Sequence, residues 1–233
     1  GMYPMGFFFD PTYILVIIGI MLSMAASAYV NSTYRKYDKV LSKKGVTGTQ
    51  AAQYILQSQG IHNVGVQGIA GDLTDNYNAQ TKMLSLSQAT AQSTSVAAIG
   101  VAAHECGHAV QDKEGYFFLK FRSFLVPIVN FSSKFGYLAV LIGLIFGAMN
   151  LAWIGIFLLV AILLFQLITL PVEFNASKRG KIFLSKLKVV DSSEKSMASS
   201  MLMAAAMTYV ASLISTLLEL LRLVLVVMGN DRD

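Results

Sequence analysis

Four long apolar stretches constrain the fold more than any other feature of this sequence. They cover residues 13–30, two neighbouring runs within 131–172, and residues 206–228. A transmembrane helix needs about 20 mostly apolar residues, because each residue advances the helix by about 1.5 Å across the hydrocarbon core. The sequence therefore predicts four transmembrane helices.

The composition excludes a soluble globular protein. Of the 233 residues, 55% are hydrophobic and 13% are charged, and the mean hydropathy is +0.57. An average soluble domain carries about 25% charged residues, so a chain this apolar needs lipid to cover much of its surface. In a membrane protein, the net charge of +5 indicates contact with anionic headgroups. We therefore expect the lipid bilayer, and not nucleic acid, as a partner.

The first and the middle stretches need separate interpretation. No basic segment precedes residues 13–30, and their apolar core is longer than the roughly 7 to 15 residues of a signal peptide. We therefore expect a retained anchor and not a cleaved signal.

The second and third stretches are separated only by Asn150, which predicts a tight transmembrane hairpin at that residue.

The basic residues predict the orientation in the membrane. Ten of the eighteen Lys and Arg residues lie in residues 31–135, and six more lie in 173–205. Cytoplasmic loops are enriched in Lys and Arg. The sequence thus predicts a multi-pass protein with both of these segments in the cytoplasm and both termini on the other side.

The segment at residues 31–130 has the pattern of a small α+β unit. Thr47 is a predicted N-cap for a helix over 48–59. Residues 64–69 and 82–86 have the length and alternation of strands, with turn residues between them, and a helix follows over 93–112. The predicted fold is therefore a mainly α integral membrane protein with a small cytosolic α+β unit. A cytosolic helical segment at 173–205 completes it.

The pentapeptide His-Glu-Cys-Gly-His occupies residues 104–108 of that last helix. Histidines four residues apart lie on one helical face, so His104 and His108 can bind the same zinc ion. Glu105 is then available as a general base for zinc-activated water. Cys106 should point away from the metal, as a small buried hydrophobic residue.

A catalytic zinc usually takes a third protein ligand. Asp112 would have to reach the metal from one turn further along the same helix, and Glu114 has the right spacing but lacks the glycine of the corresponding motif. Glu173 is the better candidate. It follows Pro171 at the end of the third stretch, on the same predicted side as the histidines.

Together these motifs resemble the YugP-type neutral zinc metallopeptidases, which are bacterial membrane proteins. The resemblance rests on the pentapeptide, on the downstream segment Leu-Pro-Val-Glu-Phe-Asn-Ala-Ser at residues 170–177, and on shorter matches along nearly the whole chain. It implies a zincin-like (gluzincin-like) cytosolic unit, distantly similar to the HtpX and CAAX-processing proteases. It also implies Zn²⁺, with His104, His108 and Glu173 as ligands and Glu105 as base, in the plasma membrane of a bacterium.

One position departs from the wider pattern that this resemblance implies. Related enzymes often carry Asp four residues after the ligand Glu, where it orients a histidine, and here that residue is Ser177. A hydroxyl can still accept the imidazole N–H bond, but it is neutral. We therefore expect Ser177 to orient a ligand histidine more weakly than a carboxylate would.

The predicted reaction is hydrolysis of peptide bonds in membrane or membrane-proximal proteins. A substrate would add to an edge strand formed by Met83, Leu84 and Ser85. Tyr209, Tyr77 and Asn78 are alternative donors to the transition state, and the sequence does not choose among them.

The alternative is a membrane scaffold or transporter with a structural metal site. A transporter could use Glu219 and Arg222, which lie three residues apart in the fourth stretch. We interpret these two residues as a structural ion pair or as snorkelling side chains.

Overall fold

The computed structural model of the chain describes residues 10–231, and most of this range is helical. Short loops and one small sheet connect the helices. In chain order the elements are α1 (Tyr13–Asp38), α2 (Gly48–Ser58), β1 (Gly65–Ile69), β2 (Asn76–Asn78), β3 (Met83–Ser87), α3 (Gln88–Ala91), α4 (Val96–Glu114), α5 (Phe117–Phe146), α6 (Met149–Lys186) and α7 (Ser192–Asp231).

Within residues 10–231, four helices are long and apolar enough to cross a membrane, as predicted. They are α1, α5, α6 and α7, with 26, 30, 38 and 40 residues. Each extends beyond its apolar stretch, because a polar side chain does not end a helix that still satisfies its backbone hydrogen bonds.

The turn between α5 and α6 is not where the sequence predicted it. Asn150 lies in the first turn of α6, and the connection consists of Gly147 and Ala148. Gly147 has a φ of 69°, a left-handed conformation that glycine adopts without steric cost. The chain therefore reverses at the glycine, and the asparagine continues as helix.

The described residues divide into two compact units. One contains the residues up to Ser27, Phe121–Leu170 and the residues from Thr208 onward. In this unit α5 and α6 pack closely, since a Cβ added to Gly143 would lie 2.6 Å from the backbone nitrogen of Ala152. Small residues allow such approach between membrane helices.

The other unit contains Ala28–Lys120 and Pro171–Met207. Its core brings together aliphatic side chains from α2, β3, α4 and the last part of α6, among them Ile55, Leu84, Ile99 and Leu184, all completely buried. As predicted, Thr47 caps α2. Its hydroxyl accepts the backbone N–H of Gln50, whose side chain accepts the N–H of Thr47 in return.

The sheet of this unit corrects one prediction. Its strand order is β1-β3-β2, with β1 parallel and β2 antiparallel to β3. Met83, Leu84 and Ser85 therefore belong to the central strand and are not an edge for a substrate. Asn76 and Asn78 were among the turn residues predicted between the two strands, but the segment Asn76–Asn78 pairs with β3 and covers its second edge. Alternation of side chains identifies a strand but not its neighbours, because pairing is a tertiary choice.

Candidate metal centre

The pentapeptide lies in α4, a well-capped helix. Ser95 accepts the N–H of Ala98 at its start, and Gly115, with a φ of 69°, ends it. Most residues between them are buried. The side chain of His104 is 15% exposed and that of His108 is 11% exposed. The helix is thus held inside the unit, with both imidazoles at a nearly closed site.

Glu173 completes a group of three possible metal ligands with these histidines. One ligand atom from each of His104, His108 and Glu173 lies within 4.8 Å of the others. Oε2 of Glu173 lies 2.8 Å from Nε2 of His104 and 3.3 Å from Nε2 of His108. A carboxylate and two imidazoles are a known ligand set for catalytic zinc.

Two glycines allow the ligand-bearing helices to approach each other. A Cβ at Gly107 would lie 2.2 Å from the carbonyl oxygen of Ala176, and one at Gly180 would lie 2.5 Å from that of Ala103. Real atoms do not come so close, so any larger residue at either position would separate α4 from α6. The fourth residue of the pentapeptide is therefore a packing requirement of the site.

The second ring nitrogen of each histidine has its own partner. Nδ1 of His104 lies 2.7 Å from the hydroxyl oxygen of Ser177, and Nδ1 of His108 lies 2.9 Å from Oε1 of Gln111. With the proton on Nδ1, each ring donates to an oxygen and presents the lone pair of Nε2 to a metal. The contact predicted for Ser177 is present, and its histidine is His104.

Gln111 was not predicted as a site residue from the sequence. It is completely buried, and its Nε2 donates to the carbonyl oxygen of Val172 at 2.9 Å and to Oδ1 of Asn175 at 3.0 Å. A glutamine three residues after a ligand histidine was the available signal, because positions i and i+3 are neighbours on a helix.

Glu105 is buried beside the three possible ligands. Burial raises the pKa of its carboxyl group, while the nearby imidazoles of His104 and His108 oppose that rise. A carboxyl group that holds a proton more readily than usual is suited to accept one and return it.

The alternative ligands are engaged elsewhere. Asp112 Oδ2 accepts hydrogen bonds from the hydroxyl of Tyr77 and from Nζ of Lys82, each at 2.5 Å. Glu114 forms an ion pair with Arg179. Cys106 is completely buried and its thiol donates to the carbonyl oxygen of Ala52, as expected for a packing residue.

The other predicted site residues have varied surroundings. Asn78 is exposed, and its Oδ1 accepts the backbone N–H groups of Gln80 and Thr81. The hydroxyl of Ser85 accepts a hydrogen bond from Gln67 in β1. Tyr209 lies in α7, in the unit that does not contain the histidines.

A helix-borne histidine pair, a carboxylate from a second helix and four long apolar helices are the features expected of a membrane-bound zinc metallopeptidase. Residues 12–228 match the model of the family described as "Putative neutral zinc metallopeptidase", and the chain belongs to this family. It is 41% identical over 219 residues to the "Putative membrane protease YugP" of Bacillus subtilis (strain 168), covering 94% of this chain and 97% of that protein. No solved structure matches the chain.

Membership of this family implies zinc, and the residues present fit that metal. The donor atoms are two Nε2 atoms and one carboxylate oxygen, and they converge from two helices. Both imidazoles are held through Nδ1, as is usual for zinc-bound histidines. The chain is thus a membrane protein of a zinc metallopeptidase family, and it has a group of three residues that could hold the metal.

Proposed function

We propose that the protein is a zinc metalloendopeptidase of the bacterial plasma membrane that cleaves membrane or membrane-proximal proteins. The observation that carries this proposal is the position of Glu105, a buried carboxyl group next to three converging ligands. A structural zinc site is normally closed by four protein ligands and has no need for a buried base.

The proposed ligands are His104, His108 and Glu173. Zinc held there supplies a Lewis acid that acidifies water and polarises the carbonyl of a peptide bond. Ser177 orients His104 by accepting the N–H of Nδ1, and Gln111 does the same for His108.

Glu105 moves the protons of the reaction. Its carboxylate accepts a proton from the attacking water and passes it to the nitrogen of the leaving amine. Burial raises the pKa of this carboxyl group, which makes it a better proton acceptor than an exposed carboxylate.

The continuity of α6 supports a substrate in or near the bilayer. Glu173 belongs to α6, the same unbroken helix that contains an apolar stretch long enough to span a membrane. Phe117 and Phe124, in the first turns of α5, are each 65% exposed, as expected of aromatic residues at headgroup level.

We further propose that the unit containing the histidines is cytosolic and zincin-like. The support is the distribution of Lys and Arg, which concentrate in residues 31–135 and 173–205. The proposed spans remain 13–30, 131–172 (two helices) and 206–228, with cytosolic regions at 31–130 and 173–205.

The proposed donor to the transition state is one of Tyr77, Asn78 and Tyr209.

The second candidate is a scaffold or transporter with a structural metal. A buried charge in a membrane helix favours this class, and Arg222 is 4% exposed. Its guanidinium lies 4.9 Å from the ring centroid of Tyr13, a cation–π distance that also suits a purely structural residue.

Glu105→Gln separates the two candidates. If the protein is a peptidase, the purified Glu105→Gln variant in detergent should still bind zinc. Its rate of casein cleavage should fall by at least about 100-fold, since a general base contributes roughly that much. Glu114→Gln is the matched control at the end of the same helix and should retain both. Undiminished cleavage by Glu105→Gln contradicts the proposal, and zinc binding without any cleavage by the unmodified chain favours a structural metal.

A further inference from the structure

Beyond the residues that contact the histidines, a line of polar side chains continues from Gln111 along α6. Asn175 Oδ1 accepts two hydrogen bonds, one from Gln111 Nε2 at 3.0 Å and one from Arg179 Nε at 2.7 Å. Arg179 also pairs with Glu114 at the end of α4. Val172, Asn175 and Arg179 are spaced by three and four residues, so they form one stripe of the helix.

The orientation of each amide in this line is fixed by its partners. Two N–H donors face Asn175, so its oxygen and not its nitrogen must point at them. Gln111 then has acceptors on both sides of its NH₂ group, Asn175 Oδ1 and the carbonyl of Val172. Its oxygen is therefore directed at Nδ1 of His108.

The orientation of Gln111 decides which nitrogen of His108 carries the proton. An oxygen facing Nδ1 requires the proton on Nδ1, which leaves the Nε2 lone pair for a metal. A rotated amide would present NH₂ to Nδ1 and favour the proton on Nε2, where it blocks the metal. That rotation would also bring the Gln111 oxygen against the oxygens of Val172 and Asn175, with no proton between them.

We propose that Asn175 and Arg179 are positioning residues of the metal centre, which act on His108 through Gln111. Arg179 fixes the Asn175 amide, Asn175 fixes the Gln111 amide, and Gln111 fixes the tautomer of His108. This inference rests on the proposed function in one respect, that His108 binds zinc by Nε2. It extends the set of residues that control metal affinity to two side chains without contact to a ligand histidine.

The test measures zinc affinity of the full chain in detergent, by competition with a chelating dye. Asn175→Leu removes the acceptor and should weaken zinc binding by roughly 10-fold, the lower end for partners of metal ligands. Asn175→Asp keeps an oxygen facing both donors and should bind within about twofold of the unmodified chain. Arg179→Met should lower affinity in the same direction but by less.

A double substitution tests whether the effect passes through Gln111. If it does, Asn175→Leu should change zinc affinity by less than about twofold once Gln111→Leu is present, since coupled residues are not additive. Lys178→Met is the control, because this exposed residue of α6 lies outside the line of hydrogen bonds from Arg179 to His108. Cobalt(II) substituted for zinc adds a spectroscopic readout, since its visible absorption reports ligand geometry and a general loss of stability would not shift it.

Several outcomes would overturn the inference. These are normal zinc affinity in Asn175→Leu, equal loss in Asn175→Asp and Asn175→Leu, or a further loss in the Gln111→Leu background. Failure of the proposed function looks different: His108→Ala would then bind zinc as tightly as the unmodified chain, whatever the Asn175 variants do.

Discussion

The hydroxyl oxygen of Ser177 lies 2.7 Å from Nδ1 of His104, although the two residues are 73 positions apart in the sequence. This contact joins α6 to α4 beside the possible ligands. The acceptor is neutral, so it fixes the ring of His104 without adding the charge that a carboxylate would. The strength of this acceptor should therefore control metal affinity.

Ser177→Ala should weaken zinc affinity by about 10-fold, because His104 loses the acceptor that holds its ring. Ser177→Asp should bind zinc at least as tightly as the unmodified chain, since a charged acceptor makes the imidazole a better donor to the metal. Dye competition on the purified chain measures both. Ser185→Ala, two turns further along α6, is the control, and an equal loss there would contradict the role of Ser177.

Gly107→Ala should separate α4 from α6 and abolish tight zinc binding. The added methyl group would meet the backbone of Ala176, which cannot move without moving its helix. Overpacking of this kind costs about 1–3 kcal/mol of folding stability. Gly180→Ala should behave alike, through the backbone of Ala103.

Thermal unfolding and zinc content measure this effect of the glycines. Gly229→Ala is the matched control, because Gly229 is helical and a Cβ there has no neighbour within 4 Å. Zinc binding by Gly107→Ala at normal affinity would mean that the close approach of the two helices is not needed for the site.

Removal of zinc should lower the melting temperature of the chain. A ligand that binds only the folded state stabilises it by about 4 kcal/mol when its free concentration is 1,000 times Kd. A chelator should therefore lower the melting temperature of the unmodified protein, and added zinc should restore it. In Glu173→Ala the shift should be much smaller, whereas an equal shift would show that Glu173 is not a ligand.

Single cysteines should report the orientation of the hairpin. The native Cys106 is completely buried, so it should not react. Asn150 and Lys188 are both exposed. In intact cells an impermeant maleimide should label Asn150→Cys but not Lys188→Cys, and inverted vesicles should show the reverse. Labelling of Lys188→Cys in intact cells would place the histidine-bearing unit outside the cytoplasm.

The parts of the fold that depend on residues close together in the sequence could be predicted from the sequence. The cap at Thr47, the helix around His104 and His108 and the four apolar helices are all local patterns, and they are present. The sheet was predicted less well. Two strands were expected at nearly their observed positions, but their pairing was not predicted. β1 pairs directly and in parallel with β3, and β2, which lies between them in the sequence, pairs with the other edge of β3.

The sequence by itself determined that two histidines share one helical face, since the period of the helix requires it. It favoured Glu173 over Asp112 and Glu114 as the third ligand, but only the tertiary structure brings Glu173 to the histidines while Asp112 and Glu114 pair elsewhere. The reason is that this choice depends on how closely two helices pack. Gly107 and Gly180 set that distance through contacts with residues about 70 positions away, which no local pattern encodes.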